Sequence, residues 1–243
     1  TAPVIIPDMT IQFSRIGIVG AGAMGRGIAQ IAAQAGSQVI LFDMQSEAGT
    51  AARASIFSQW DKLAVKGRLD AAQVGSYKTR VTCADSLNAL ADCELVVEAI
   101  IERLEVKSRL FSELEGIVST DTVLATNTSS LSVTAIAAHL KHRQRFAGFH
   151  FFNPVPLMKV VEVIAGLKTD PAVCQGLAAY ARQMGHTPVQ ASDTPGFIVN
   201  HAGRGYNTEA LRIVGEGVAD FAAIDRILRD QVGFRLGPFE LMD

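Results

Sequence analysis

From Arg15 onward, short apolar runs alternate with longer stretches whose apolar residues recur at helical spacing. Arg15-Ile-Gly-Ile-Val-Gly20 reads as a buried strand, Ala23 to Ala35 as a helix stopped by Gly36, and Gln38-Val-Ile-Leu-Phe-Asp43 as a second strand. Strand, glycine turn, helix and strand in this order make a βαβ unit, for which a parallel sheet is expected. Helical patterning returns from Ser46 to Gly67, followed by a short strand at Arg80-Val-Thr82 and another at Glu94-Leu-Val-Val-Glu-Ala-Ile100. A helix from about Leu104 to Ile117 leads to a strand at Thr122–Thr126 and a short helix near Val133 to Ala138. Strands at Phe146–His150 and Val160–Ile164, a helix from Ala172 to Met184, and a strand at Thr187–Ala191 complete the series. The alternation predicts a doubly wound α/β domain. Beyond Thr194 the strand signals stop. Phe197 to Val214 and Phe221 to Val232 read as helices, with a third starting at Pro238. The expected division is residues 1–192 as a Rossmann domain, then residues 193–243 as the beginning of an all-helical domain. So short a helical segment cannot enclose a core of its own, which suggests a truncated domain.

The turn between the first strand and the first helix is Gly20-Ala21-Gly22-Ala23-Met24-Gly25. A glycine at the first position permits the tight turn, the second lets backbone approach a pyrophosphate, and the third allows helix and strand to pack closely. The helix N-terminus then faces the anion. A lone glycine fingerprint is weak, but here the second strand ends in Asp43, where a carboxylate can accept from both ribose hydroxyls and would repel a 2′-phosphate. NAD is therefore expected rather than NADP. The competing readings are a packing turn with Asp43 as a helix cap, or a site for another phosphate-bearing ligand. No Walker-type lysine follows the turn.

His150 stands at the polar end of an apolar run, and Glu162 is embedded in Val160-Val-Glu-Val-Ile164, a run that otherwise reads as a buried strand. A carboxylate there needs a partner. An imidazole titrates near neutrality, and a carboxylate within reach would orient its ring and fix its tautomer. The two are a candidate general-base pair. Read alone, they could equally be a core histidine bonded to a carbonyl and a glutamate on a solvated face. Lys62 and Lys66 are spaced to share one helix face, where they could meet the phosphates of a ligand or simply be solvated. Phe57 and Trp60 on the same helix read as core.

Composition narrows the partners. With 243 residues, 49% hydrophobic and 19% charged, the chain can build one full core and part of another. A net charge of −2 offers no overall basic field for nucleic acid or an anionic membrane. No run approaches the roughly 18 apolar residues of a membrane span, and Thr1–Asp8 lacks the pattern of a signal peptide, so a cytoplasmic location is expected. Cys83, Cys93 and Cys174 have no metal or disulfide spacing, and no metal site is expected.

Taken together, the chain resembles the 3-hydroxyacyl-CoA dehydrogenase family. The resemblance is carried by Gly20 to Gln30, by Val96-Val-Glu-Ala-Ile100 with Glu102 and Lys107, and by Asn127-Thr-Ser-Ser130. It continues through His150-Phe-Phe-Asn-Pro-Val-Pro156 with Glu162, Asp193-Thr-Pro-Gly-Phe-Ile-Val-Asn200, and Gly237-Pro-Phe-Glu-Leu241. It implies NAD-dependent oxidation of a (3S)-hydroxyacyl-CoA to the 3-ketoacyl-CoA, as in fatty acid β-oxidation. In that scheme His150 is the base, Glu162 stabilises its imidazolium, and Ser129 and Asn200 bond the reacting end of the substrate. Glu102, Lys107, Ser129 and Asn153 would line the NAD site with Asp43. Seen alone, Ser129 is a helix-start cap, Asn200 a capping or packing residue, Glu102 with Lys107 a surface pair, and Asn153 a turn residue.

The resemblance also implies a homodimer formed through the helical domain. His201–Leu211 resembles the longer bacterial members with two helical domains, which include those of phenylacetate breakdown, so an N-terminal fragment of such a protein is expected. The rival enzyme, a related hydroxy-acid or sugar-acid dehydrogenase, would use a lysine in place of His150 and Glu162. The rivals outside catalysis are a structural relative, since lens crystallins were recruited from this family, or a fragment that binds NAD without turnover.

Overall fold

The structure, a computed structural model, describes residues 13–242, so the leading residues Thr1–Asp8 discussed above lie outside it. The elements begin with β1 (Arg15–Val19), α1 (Ala23–Gln34), β2 (Gln38–Phe42), α2 (Ser46–Val65), α3 (Ala71–Thr79) and β3 (Val81–Ala84). They continue through β4 (Leu95–Glu98), α4 (Leu104–Glu115), β5 (Val123–Thr126), α5 (Val133–Ile136) and β6 (Phe146–Phe151). The last are β7 (Val160–Ala165), α6 (Pro171–Gln183), β8 (Thr187–Ser192), α7 (Val199–Gly215) and α8 (Phe221–Asp230).

The strands form one eight-stranded sheet in the order β3-β2-β1-β4-β5-β6-β7-β8. The order reverses between β1 and β4, and the crevice beyond the carboxyl ends of these strands is where open α/β sheets bind their ligands. Strands β1 to β6 run parallel, and all but the edge strand β3, where only Val81 is buried, show the near-continuous burial expected of strands covered on both faces. Ile28, Ala29, Ala32 and Ala33 of α1 join Ile16, Ile18, Val39 and Leu41 in the core.

The parallel pairing expected of the first βαβ unit holds for β1 and β2, and the sheet turns antiparallel at β7, which pairs with β6, while β8 runs parallel to β7. The 152–159 link carries no crossover helix, and a parallel return would need one. Helix α3 went unanticipated because Val74 is its only buried residue. Its start signal is nevertheless local: Asp70 Oδ1 accepts from the Gln73 amide at 2.7 Å, and Gln73 Oε1 accepts from the Asp70 amide at 3.0 Å. Trp60 is fully buried, as expected, while Phe57 is only half-buried and stacks on it with ring centroids 5.9 Å apart.

The chain separates into two compact units, one ending at Thr194 and the other beginning at Pro195. The second unit contains α7 and α8. From Pro238 the described residues make a hydrogen-bonded turn, with the Leu241 amide donating to the Gly237 carbonyl at 3.0 Å, and the Asp225 carboxylate of α8 accepts from its Phe239 amide at 2.9 Å and its Glu240 amide at 3.2 Å. Edge-to-face stacking of Phe221 on Phe239, centroids 4.7 Å apart, holds the same turn against α8. Among the described residues, no helix is long and apolar enough to cross a membrane.

Candidate active site

The glycine turn follows directly from β1. Gly20 has φ +105°, and a Cβ there would lie 2.5 Å from the Ala99 carbonyl oxygen, so glycine is required on two counts. Gly22 caps α1 without a side-chain acceptor, so the amides of the first turn lack the partner that a serine or aspartate cap would supply. A Cβ on Gly22 would meet nothing within 4 Å, leaving open space in front of the helix for an anion. Ala23, Met24 and Gly25 form that first turn, and a Cβ on Gly25 would collide with the Gly20 carbonyl.

Asp43 leaves the end of β2 and reaches the same turn. Its Oδ2 accepts from the Ala21 amide at 2.8 Å and its Oδ1 from the Gln45 amide at 3.0 Å. The cap of α2 is Gln45, so Asp43 is not spent as a helix cap. Each carboxylate oxygen retains a lone pair for a ribose hydroxyl. Open space at an uncapped helix start, with an acid pinned beside it, fits NAD, and that acid would repel the extra phosphate of NADP.

The antiparallel pairing of β6 with β7 sets His150 directly opposite Glu162. Opposed residues of an antiparallel pair project to one face with their Cβ atoms close together. His150 Nδ1 lies 2.7 Å from Glu162 Oε2, with the histidine 4% and the glutamate 0% exposed. An ionised carboxylate only accepts, so the Nδ1–H donates and Nε2 carries the lone pair that can take a proton. The solvated-face reading of Glu162 is thereby removed. The Phe152 ring packs against the imidazole, centroids 4.5 Å apart.

Between β5 and α5 runs the loop that holds Ser129. Asn127 Oδ1 accepts from the Phe151 amide at 2.8 Å, tying the loop to the strand that carries His150. Glu102 Oε1 accepts from the Thr128 hydroxyl, from the Ser129 amide at 2.9 Å, and from the Ser130 amide and hydroxyl, each at 3.2 Å. Burial alone would raise the Glu102 carboxyl, but the Thr128 hydroxyl, the Lys107 charge and the Ser129 amide outweigh it and hold it below the ordinary glutamate value. Ser132, not Ser129, caps α5, with its Oγ accepting from the Ala135 amide at 3.2 Å.

Glu102 and Lys107 are no ordinary surface pair. Lys107 is 1% exposed, 3.2 Å from Glu102 Oε2, and also bonded to Glu98, a carboxylate at the end of β4 that is fully buried. Glu98 was not anticipated, although its setting in Leu95-Val-Val-Glu98 carries the same signal that singled out Glu162. Two further polar residues were missed as supports. Asn127 is one; Asp193 is the other, whose carboxylate receives the start of α5 through Val133 N and Thr134 N, both at 2.8 Å.

The remaining expected residues take separate places. Asn153 is exposed in the β6–β7 link, joined to Pro154 by a cis peptide. Lys62 and Lys66 line an open groove of about 600 Å³ along α2 with Phe57, Asp61 and Lys78, the last paired to Asp61 at 2.6 Å. Asn200 belongs to the second unit, in the first turn of α7. No cluster of histidine, cysteine or acidic residues suited to a metal occurs among the described residues.

A doubly wound sheet with an uncapped glycine turn at its switch point defines a dinucleotide-binding α/β protein. The chain belongs to the 3-hydroxyacyl-CoA dehydrogenase family: the family's NAD-binding domain matches residues 15–194, and its C-terminal domain matches residues 196–243. It is 44% identical to the 3-hydroxyadipyl-CoA dehydrogenase of Escherichia coli K12 over 97% of this chain and 50% of that protein. Against the human mitochondrial hydroxyacyl-coenzyme A dehydrogenase it is 38% identical over 96% of this chain and 76% of that one. The crystal structure of 3-hydroxybutyryl-CoA dehydrogenase from E. coli K12 superposes with a TM-score of 0.92 at 44% identity, covering 95% of this chain and 49% of the other. The chain thus spans about half the length of these E. coli relatives.

Proposed function

We propose that the chain oxidises (3S)-3-hydroxyacyl-CoA to 3-ketoacyl-CoA with NAD. The observation that carries this reading is the buried His150–Glu162 pair, 2.7 Å apart, in a chain of this family. The glycine turn and Asp43 would hold NAD, which would supply the hydride acceptor for C3. His150 Nε2 takes the proton of the 3-hydroxyl as that hydride departs, and the C3–O bond becomes a carbonyl. Glu162 holds the ring and stabilises the imidazolium. A positioned base of this kind contributes roughly 10²–10⁴-fold. Ser129 donates a hydrogen bond to the oxygen as negative charge develops on it, a role that the family resemblance also implies for Asn200. Glu102, Lys107 and Asn153 line the cofactor side, with Lys107 acting through Glu102 because it is buried.

Lys62 and Lys66 are the proposed contacts for coenzyme A phosphates, supported by the groove they line. A homodimer through the second unit suits the exposed Leu211, Phe221, Ile227 and Phe234. The three thiols, all free, suit the reducing cytoplasm.

The test is loss of NADH absorbance with acetoacetyl-CoA and with a carboxylated adipyl-type 3-ketoacyl-CoA. Saturable turnover of at least one is expected. No turnover of either by the protein would overturn the reading.

A further inference from the structure

One buried carboxylate takes no part in the chemistry just described. Glu98 is 0% exposed at the end of β4, where an ionised group is tolerated only with partners for its oxygens. It has them: Lys107 Nζ and the Ile100 amide, the latter at 2.7 Å, donate to Oε1, and the Thr126 hydroxyl donates to Oε2 at 2.7 Å. The Thr126 hydroxyl in turn receives the Thr128 amide at 3.2 Å. Lys107, itself 1% exposed, passes from Glu98 to Glu102 Oε2, and Glu102 Oε1 gathers the donors of Thr128, Ser129 and Ser130. Glu98 therefore reaches the Ser129 loop by two routes, one through Lys107 and Glu102 and one through Thr126.

The charges explain why the chain is arranged in this way. Without Glu98 a single half-exposed carboxylate would hold the buried ammonium, and the lysine would move toward it or toward water. Glu102 would follow, and the serine amide it accepts from would lose its fixed position. We propose that Glu98 is a positioning residue for hydride transfer, holding Lys107 so that Glu102 keeps the Ser129 loop in place beside the cofactor. The proposal rests on the dehydrogenase reading for its kinetic arm only, since the bonding itself concerns this chain's own residues.

The experiment compares the unaltered chain with Glu98→Gln and with Glu98→Gln/Lys107→Met. The double variant removes both buried charges and so keeps the test alive if the single one fails to fold. Amide exchange of Ser129 and Ser130 is measured without cofactor, and kcat and KM with NADH and acetoacetyl-CoA. Exchange of these two amides should quicken about tenfold in either variant while β1 and β2 amides keep their protection. The kcat should fall roughly 10- to 100-fold, the scale of a small misplacement, with KM for acetoacetyl-CoA within about twofold. Unchanged loop exchange in a folded variant would overturn the positioning role, as would an unchanged kcat where the unaltered chain turns over. Absence of turnover in the unaltered protein would instead count against the dehydrogenase reading, and the exchange measurement would still decide the role of Glu98.

Discussion

A histidine can act as a base only if one ring nitrogen is reserved for the incoming proton, and in the proposed mechanism Glu162 makes that reservation for His150. Its buried carboxylate lies 2.7 Å from Nδ1 and can only accept, so the other nitrogen holds the lone pair. Glu162→Gln replaces a pure acceptor by a group that can also donate, and the tautomer is no longer fixed. The kcat of that variant is expected to fall roughly 10²–10⁴-fold with NADH binding, followed by fluorescence, unchanged. A kcat within about threefold of the unaltered protein would mean that the carboxylate does not set the tautomer. At this scale much of the site was legible. An acid inside an apolar strand must be paired or costly, and that argument found Glu162; applied to Val96-Val-Glu98 it would have found Glu98 as well. Asn200 enters the proposed site only through the family pattern, because an asparagine at the start of a helix has an adequate reading as a cap or packing residue.

Elements, rather than residues, decide which of these groups meet. The glycine turn was readable because strand, turn and helix each left a local signature, and so were the parallel strands with their continuous apolar runs. The reversal of β7 was missed although its cause is local: a link without a helix cannot return the chain in parallel. That reversal supplies the His150–Glu162 register. Helix α3 was missed for a different reason. There side chains capping the backbone, Asp70 with Gln73, outweigh a weak apolar pattern.

Asp193 performs the same service for α5. Burial would raise its carboxyl, but the Thr134 side chain and amide, the Ser132 hydroxyl and the Val133 amide together hold it below the ordinary aspartate value. A carboxyl depressed on folding adds stability above its unfolded value, near 3.9, and loses that stability as the pH falls through its folded value. Asp193→Asn should therefore lower the unfolding free energy by about 1 kcal/mol at pH 7, by the usual worth of such a cap. The deficit should shrink toward pH 3 in urea titrations. A deficit equal at both pH values would show that the charge of Asp193 contributes nothing.

For the whole molecule, the carboxyl ends of the strands carry an uncapped helix start, the Asp43 carboxylate bonded beside it, a serine loop held by Glu102, and a histidine paired with a buried glutamate. The first unit carries all of these, and Asn200 belongs to the second. Family membership and this arrangement converge on one central claim, that His150 is the base for hydride transfer between C3 of a hydroxyacyl-CoA and NAD. The most direct test is a pre-steady-state measurement of NADH oxidation by acetoacetyl-CoA in the unaltered protein and in His150→Ala, with NADH affinity titrated in parallel. The account predicts equal NADH affinity and a hydride-transfer rate lower by roughly 10²–10⁴-fold in the variant. A variant that binds NADH equally and transfers hydride at the unaltered rate would contradict it.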